Sequence, residues 1–229
     1  MVETACGLIL RTRPLTETSL IIHWLTPQFG RLSTVAKGAR RPKSPFRGKL
    51  DLFYLADFSF SRSPRSDLHN LREVSLRETH SSLRRELALL QQASYCVALI
   101  EQTTENEAPS ASIFGLMLSF LAVLPAHFPQ AQTVFTFEIK LLAELGMEPD
   151  LSKSRLTAGT QAILRLLARV DWVAALRARL SSAQTVELRN FLQGFLIFHF
   201  GRLARGRDAA LDISATRDNT PFVHAQNGH

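Results

Sequence analysis

The chain has 229 residues, 21% charged and 45% hydrophobic, which suits one large globular domain or two small ones. Its net charge is +7, and the excess is local: residues 1–80 hold 13 Lys/Arg against 7 Asp/Glu, and residues 81–229 hold 14 against 13. Two distant cysteines exclude a disulfide framework, and without a signal-like start or a long apolar run the chain is expected to be soluble and intracellular.

Residues 3–13 are predicted as a strand whose apolar run ends in Arg11 and Arg13. Residues 14–18 turn. Residues 20–26 (LIIHWLT) form a second strand, apolar nearly throughout, as suits a strand buried in a closed barrel. Gly30 opens a third strand, in which Leu32, Thr34 and Ala36 alternate with Arg31, Ser33, Val35 and Lys37. The chain then breaks into a loop punctuated by Gly38, Pro42, Pro45 and Gly48. Between Arg31 and Lys49 there are seven basic residues (Arg31, Lys37, Arg40, Arg41, Lys43, Arg47 and Lys49) and no acid. Such a stretch cannot neutralise itself; it must carry counterions or a polyanion. A phosphate backbone fits it, although a solvated charge run accounts for the charge alone equally well.

Residues 50–60 alternate most clearly, with Leu50, Leu52, Tyr54, Ala56, Phe58 and Phe60 on one face. After a polar turn at 61–67, residues 68–77 give a fifth strand with Leu71, Val74 and Leu76 inward. Five strands in about 80 residues fit an OB-type barrel, and an SH3-like barrel fits almost as well. From residue 81 the apolar period becomes 3.6. A helix capped by Ser81 or Ser82 is predicted to run to about Thr104, with Leu83, Leu87, Leu90 and Val97 along one side. Further helices are predicted over 113–123, 133–145, 157–170 and 186–205, with a shorter helical piece at 171–180. Pro125 and Gly146 mark stops. Residues 208–229 have little periodicity and are predicted to form a poorly ordered tail.

The seven histidines never approach a metal-ligand spacing, and Cys6 and Cys96 are read as core thiols. No phosphate-binding glycine loop, dinucleotide fingerprint or nucleophile elbow occurs. Single strands are held by rings beside a cationic groove, for which Phe29, Phe46, Phe53 and Tyr54 are candidates. Phe46, within the basic loop, is the favoured one, because a loop has little core to bury it. Trp24, Phe58 and Phe60 are assigned to the core.

The run LRTRPLTETSLIIHWLTPQFGRLSTVAKGARRPKSPFRGKL, residues 10–50, resembles the N-terminal domain of the RecO family of bacterial recombinational repair proteins. VAKGARRPKS (35–44), with FGRLS just before it, is the most specific piece; the helical remainder matches in layout only. The resemblance implies an α+β chain: an OB-fold nucleic-acid-binding domain over 1–80, a helical domain over 81–207 and the tail. With no catalytic constellation in the sequence, no enzymatic activity or cofactor is expected, and the chain is expected to be cytoplasmic and nucleoid-associated, without membrane contact. The resemblance further implies a protein that binds single- and double-stranded DNA, anneals single strands and loads RecA together with RecR. Its site would comprise Arg11, Arg13, Arg31, Lys37, Arg40, Arg41, Lys43, Phe46, Arg47 and Lys49. Among the arginines on the helices, Arg165, Arg169 and Arg177 are candidates to clamp the acidic C-terminal tail of single-stranded-DNA-binding protein. Many relatives carry a four-cysteine zinc module after the helix ending in LG, but residues 145–159 (LGMEPDLSKSRLTAG) contain no cysteine, so no metal is expected. The competing reading is a protein-interaction adaptor with a structural barrel and a basic loop that meets acidic protein. A nuclease ranks third, because convergent metal-binding acids are missing.

Overall fold

The computed structural model describes residues 1–212. Strands β1 (Val2–Pro14), β2 (Leu20–Thr26), β3 (Gly30–Ala36), β4 (Leu55–Ser61) and β5 (Leu68–Glu78) close a barrel in the order β1-β2-β3-β5-β4. β3 and β5 run parallel, and the other pairs are antiparallel. This crossover makes the barrel an OB-fold and settles the choice that strand count left open. Its interior is filled by Ile9, Ile22, Trp24, Leu32, Phe58, Phe60, Leu71 and Val74, among others. Trp24 stacks on Phe58 with centroids 4.1 Å apart, and its Nε1 donates to Thr34 Oγ1 at 2.9 Å. The stack lies so close to β1 that a Cβ on Gly7 would come within 2.8 Å of Phe58. A bulge opposite Ser59 and Phe60 explains how Leu71 and Val74, an odd number of residues apart, both point inward.

β4 begins later than the alternation predicts. Phe53 adopts φ 64°, which takes residues 50–54 out of the extended conformation and buries its ring among the helices. Cys6 is half-buried on β1 opposite Asp57 rather than in the core; Cys96 is fully buried.

The second half contains α1 (Leu87–Thr103), α2 (Ala111–Val123), α3 (Ala131–Glu144), α4 (Ala158–Arg169), α5 (Trp172–Arg177), α6 (Ser182–Phe200) and α7 (Arg207–Leu211). α3 is the axis of this half: residues 132–139 are buried on every side. Gly146 ends it at φ 69°, with the Met147 N–H donating to the Leu142 carbonyl, a Schellman-type closure. Thr157, Asp171 and Ser181 cap the next three helices through their side chains. The predicted first helix is broken: Ser81–Arg85 is a 3-10 turn and Glu86 is extended, so Leu83 is buried while Leu87 is 63% exposed. The predicted tail also needs correction at its start, since residues 208–211 belong to α7, where Ala210 and Leu211 are buried. The remainder of that prediction, residues 213–229, lies outside the described residues. No helix among the described residues is long and apolar enough to cross a membrane.

The two halves share a core. Leu8, Leu10 and Leu25 of the barrel, with Phe53, belong to the same apolar cluster as the buried faces of the helices. The segment after α1 straps the barrel. The Glu107 N–H donates to the Arg31 carbonyl at 2.7 Å, and the Ala108 carbonyl lies where a Cβ on Gly30 would be, 1.8 Å away. Gly30, at φ 61°, is therefore fixed both by its turn and by the strap.

Candidate nucleic-acid interface

The basic loop between β3 and β4 is a chain of tight turns. The N–H groups of Ala39, Arg41, Ser44, Arg47 and Lys49 each donate to the carbonyl three residues back. Three anchors hold it to the barrel. At its start, the Arg40 N–H donates to the Thr18 carbonyl at 2.9 Å, and the Gly38 N–H to Ser19 Oγ at 3.4 Å. In the middle, Phe46 is 7% exposed and packs with the barrel interior. At its end, the Phe53 N–H donates to the Ile9 carbonyl at 2.9 Å. Turns and anchors together fix the backbone and leave long cationic side chains outside.

Lys37, Arg40, Arg41, Lys43 and Arg47 are exposed, and none has a carboxylate within ion-pair distance among the described residues. Arg40 and Arg47 reach only backbone carbonyls, those of Thr16 at 3.4 Å and Pro42 at 3.3 Å. Three of the nearby acids are engaged elsewhere, Asp51 with Arg84, Asp57 with Arg77 and Glu3 with Arg62, while Glu17, on the turn that Arg40 bonds to, is exposed. The loop thus presents unneutralised charge on a fixed frame, which attracts a polyanion without the ordering cost of a floppy segment.

The other sequence-derived candidates are placed differently. Phe46 is a correction: the loop folds back over the barrel, so the ring plugs the interior and cannot stack on a base. Arg31 is a second. Its Nε donates to Thr104 Oγ1 at 2.8 Å and its Nη2 to the Thr104 carbonyl at 2.5 Å. Burial pushes the Arg31 pKa down, with the Glu101 charge opposing. Arg31 therefore joins the halves instead of standing with the exposed cations of the loop. Lys49 is half-buried and lines a cleft of about 510 Å³ with Phe46, Arg72, Asp57 and Glu73, where the charges are mixed. Arg11 pairs with Glu101 of α1, while Arg13 is exposed and unpaired among the described residues. Of the other rings, Phe53 is buried, Phe29 packs edge-on against Phe60 under Arg62, and Tyr54 lies beneath Arg84. The β1–β2 turn falls where the sequence predicts it, but its part in seating the loop has no sequence signal beyond the Thr- and Ser-rich run at Thr16, Thr18 and Ser19.

On the helical half, Arg165 and Arg169 line one cleft of about 500 Å³ together with Ile139, Leu151 and Leu164 and the acids Glu148 and Asp150. Arg177, at the end of α5, is not among its lining residues. Among the described residues no group of three or more His, Cys, Asp or Glu is placed to hold a metal ion.

Comparison with known proteins adds an independent line. Residues 1–80 match the family model for the N terminal of Recombination protein O, and residues 84–157 match the model for its C terminal. The chain is 33% identical over 143 residues to a DNA repair protein RecO from Rhodopirellula baltica, covering 62% of this chain and 53% of that one. It is 25% identical over 207 residues to a DNA repair protein RecO from Exiguobacterium sibiricum, covering 89% and 82%. A third, from Anaeromyxobacter, is 31% identical over 143 residues, covering 62% and 56%. The first and third alignments thus span little more than half of those relatives' length.

Proposed function

The chain belongs to the RecO family of DNA repair proteins, and on that basis we propose that it binds single-stranded DNA through the β3–β4 loop and anneals complementary strands. The observation that carries this reading is the set of five exposed, unpaired cations at Lys37, Arg40, Arg41, Lys43 and Arg47 on a loop pinned at three points. A strand held by its phosphates keeps its bases free to pair, because phosphate contacts position a nucleic acid without reading it. Lowering the charge of two strands at once removes the repulsion that opposes their encounter. This is a binding and matchmaking role rather than an enzymatic one.

In the cell the same protein would act with RecR to load RecA onto strands coated by single-stranded-DNA-binding protein, and would meet duplex DNA beside the gap. The cleft lined by Arg165 and Arg169 supports the protein-binding part. The lining is mixed in charge, with Glu148 and Asp150 as well as the two arginines, so it is the part formed by Arg165, Arg169 and the apolar Ile139, Leu151 and Leu164 that suits a peptide both acidic and apolar, such as the tail of single-stranded-DNA-binding protein. The test is an annealing assay with complementary labelled strands. Changing Arg40, Arg41 and Lys43 to Ala should slow annealing and weaken binding to homopolymers of every base alike. Unequal losses among the homopolymers, or none in a folded variant, would contradict phosphate tracking by this loop.

A further inference from the structure

A second cationic site lies where the barrel meets the helices. A cleft of about 400 Å³ is lined by Arg11 and Arg13 from the end of β1, Glu101 and Gln102 from α1, and Arg202 and Arg205 from the segment after α6. Four guanidinium groups face one carboxylate, and that carboxylate is already paired with Arg11. The acids next in sequence are also engaged, since Asp208 and Asp212 both pair with Arg189. Arg13, Arg202 and Arg205 are exposed and have no side-chain partner among the described residues. His23, opposite Arg11 in the barrel, adds no charge: burial pushes its pKa down, Glu101 opposes this, and Arg13, Arg11 and Arg31 push it down further.

The segment carrying Arg202 and Arg205 is fixed. Gly201 closes α6 at φ 74°, Gln102 Nε2 donates to the Arg202 carbonyl at 2.6 Å, and Ala204 is buried. Arg207 then locks into the helical core on Glu138, with Nε to Oε1 at 2.7 Å. The backbone that carries Arg202 and Arg205 is therefore anchored while their charge is left unanswered, an arrangement that suits an anion. Along the chain the cleft is close to the basic loop, with one exposed acid, Glu17, on the turn between them. Arg40 sits on the β1–β2 turn through Thr16 and Thr18, and Arg13 lies three residues before Thr16, a reach of at most about 10 Å along the chain.

We propose that this interdomain arginine cleft is a second phosphate-backbone station, in which a single strand leaving the β3–β4 loop passes over the β1–β2 turn and is gripped by Arg13, Arg202 and Arg205. The proposal rests on the reading of the loop as a DNA site, and it assigns the helical half a direct share in the footprint. A polynucleotide is favoured over an acidic peptide because the cleft's exposed lining is arginine-rich and Arg13 lies only three residues from the turn on which the loop's Arg40 sits.

The experiment uses the full chain and two labelled strands, one of about 6 nucleotides, short enough for one OB barrel, and one of about 20. R202A/R205A should leave the short strand's affinity unchanged and weaken the long one, with the log–log salt slope shallower by about 1.4 for two lost contacts. R202K/R205K, which keeps the charge, should restore most of the slope and so separates charge from folding. R40A/R41A/K43A should weaken both strands. An R202A/R205A protein with the parental slope on the long strand, while the loop variant loses affinity, overturns the cleft and spares the loop. Loss of an acidic peptide's binding with DNA binding intact in R202A/R205A also overturns it, in favour of a protein partner. A loop variant that binds both strands as the parent does overturns the loop reading, and the cleft proposal with it.

Discussion

Phe46 fixes a basic loop to a barrel by burying one ring, and this defines what its removal should do. Phe46→Ala should destabilise the fold by roughly 3–5 kcal/mol, the usual cost of truncating a buried ring, read as a fall in denaturation midpoint. Phe46→Leu should recover most of that stability, and both folded variants should retain single-strand affinity at temperatures where they are native. Loss of affinity in a fully stable Phe46→Leu protein would return the ring to the binding site. The residue's role could not be read from sequence, because local pattern places it in a Pro- and Gly-rich loop and only the long-range return of that loop buries it. Arg31 misleads for the same reason: it sits in a basic run, yet its partner Thr104 is 73 residues away. The exposed cations at 37–47 were readable, since a run of like charge with no acid has nothing local to pair with.

At the level of elements, α7 is held by chemistry rather than by pattern. Glu138 of α3 is fully buried, accepts from the Tyr95 hydroxyl of α1, and is paired by Arg207 of α7 through both of its oxygens. Burial and the neighbouring carboxylate push the Tyr95 phenol well above its ordinary value, so it stays a donor. Arg207→Ala would leave Glu138 buried without its cation, at a cost of about 3–5 kcal/mol. Replacing the pair by Met at 207 and Leu at 138 should cost much less, and equal losses in a denaturant series would argue against the pair as the lock. The amphipathic helices were visible through their 3.6 period, and most strands through alternation or continuous apolarity. α7 was not, because five residues give too short a window for any period and its anchor is a charge. β4 was begun too early because residues 50–54 keep the alternation of a strand, and nothing local announces the left-handed turn at Phe53.

Across the whole molecule, the barrel and the helices behave as one packed body joined by polar straps. A fragment of residues 1–80 would expose Leu8, Leu10, Leu25 and Phe53 and strip Arg11, Arg31 and His69 of their partners. It should bind a hydrophobic dye and melt with little cooperativity, whereas a sharp transition and no dye binding would show that the barrel stands alone. The strap also predicts a pH dependence. The Arg62 hydrogen bond leads in holding the Glu107 carboxyl below the ordinary range, against partial burial and with help from His69. A lowered folded-state pKa adds stability above the ordinary carboxylate value and loses it as pH falls through the lowered one. The gap in melting temperature between the parent and Glu107→Gln should therefore be widest near neutral pH and close in acid; a gap constant with pH would rule out this linkage. The central claim is that five fixed loop cations grip a phosphate backbone, and the salt dependence of single-strand affinity tests it most directly. The intact chain should show a log–log slope of about −3.5 or steeper, and R40A/R41A/K43A a slope shallower by about 2, at about 0.7 per contact. A parental slope near zero, or a folded triple variant with the parental slope, would contradict it.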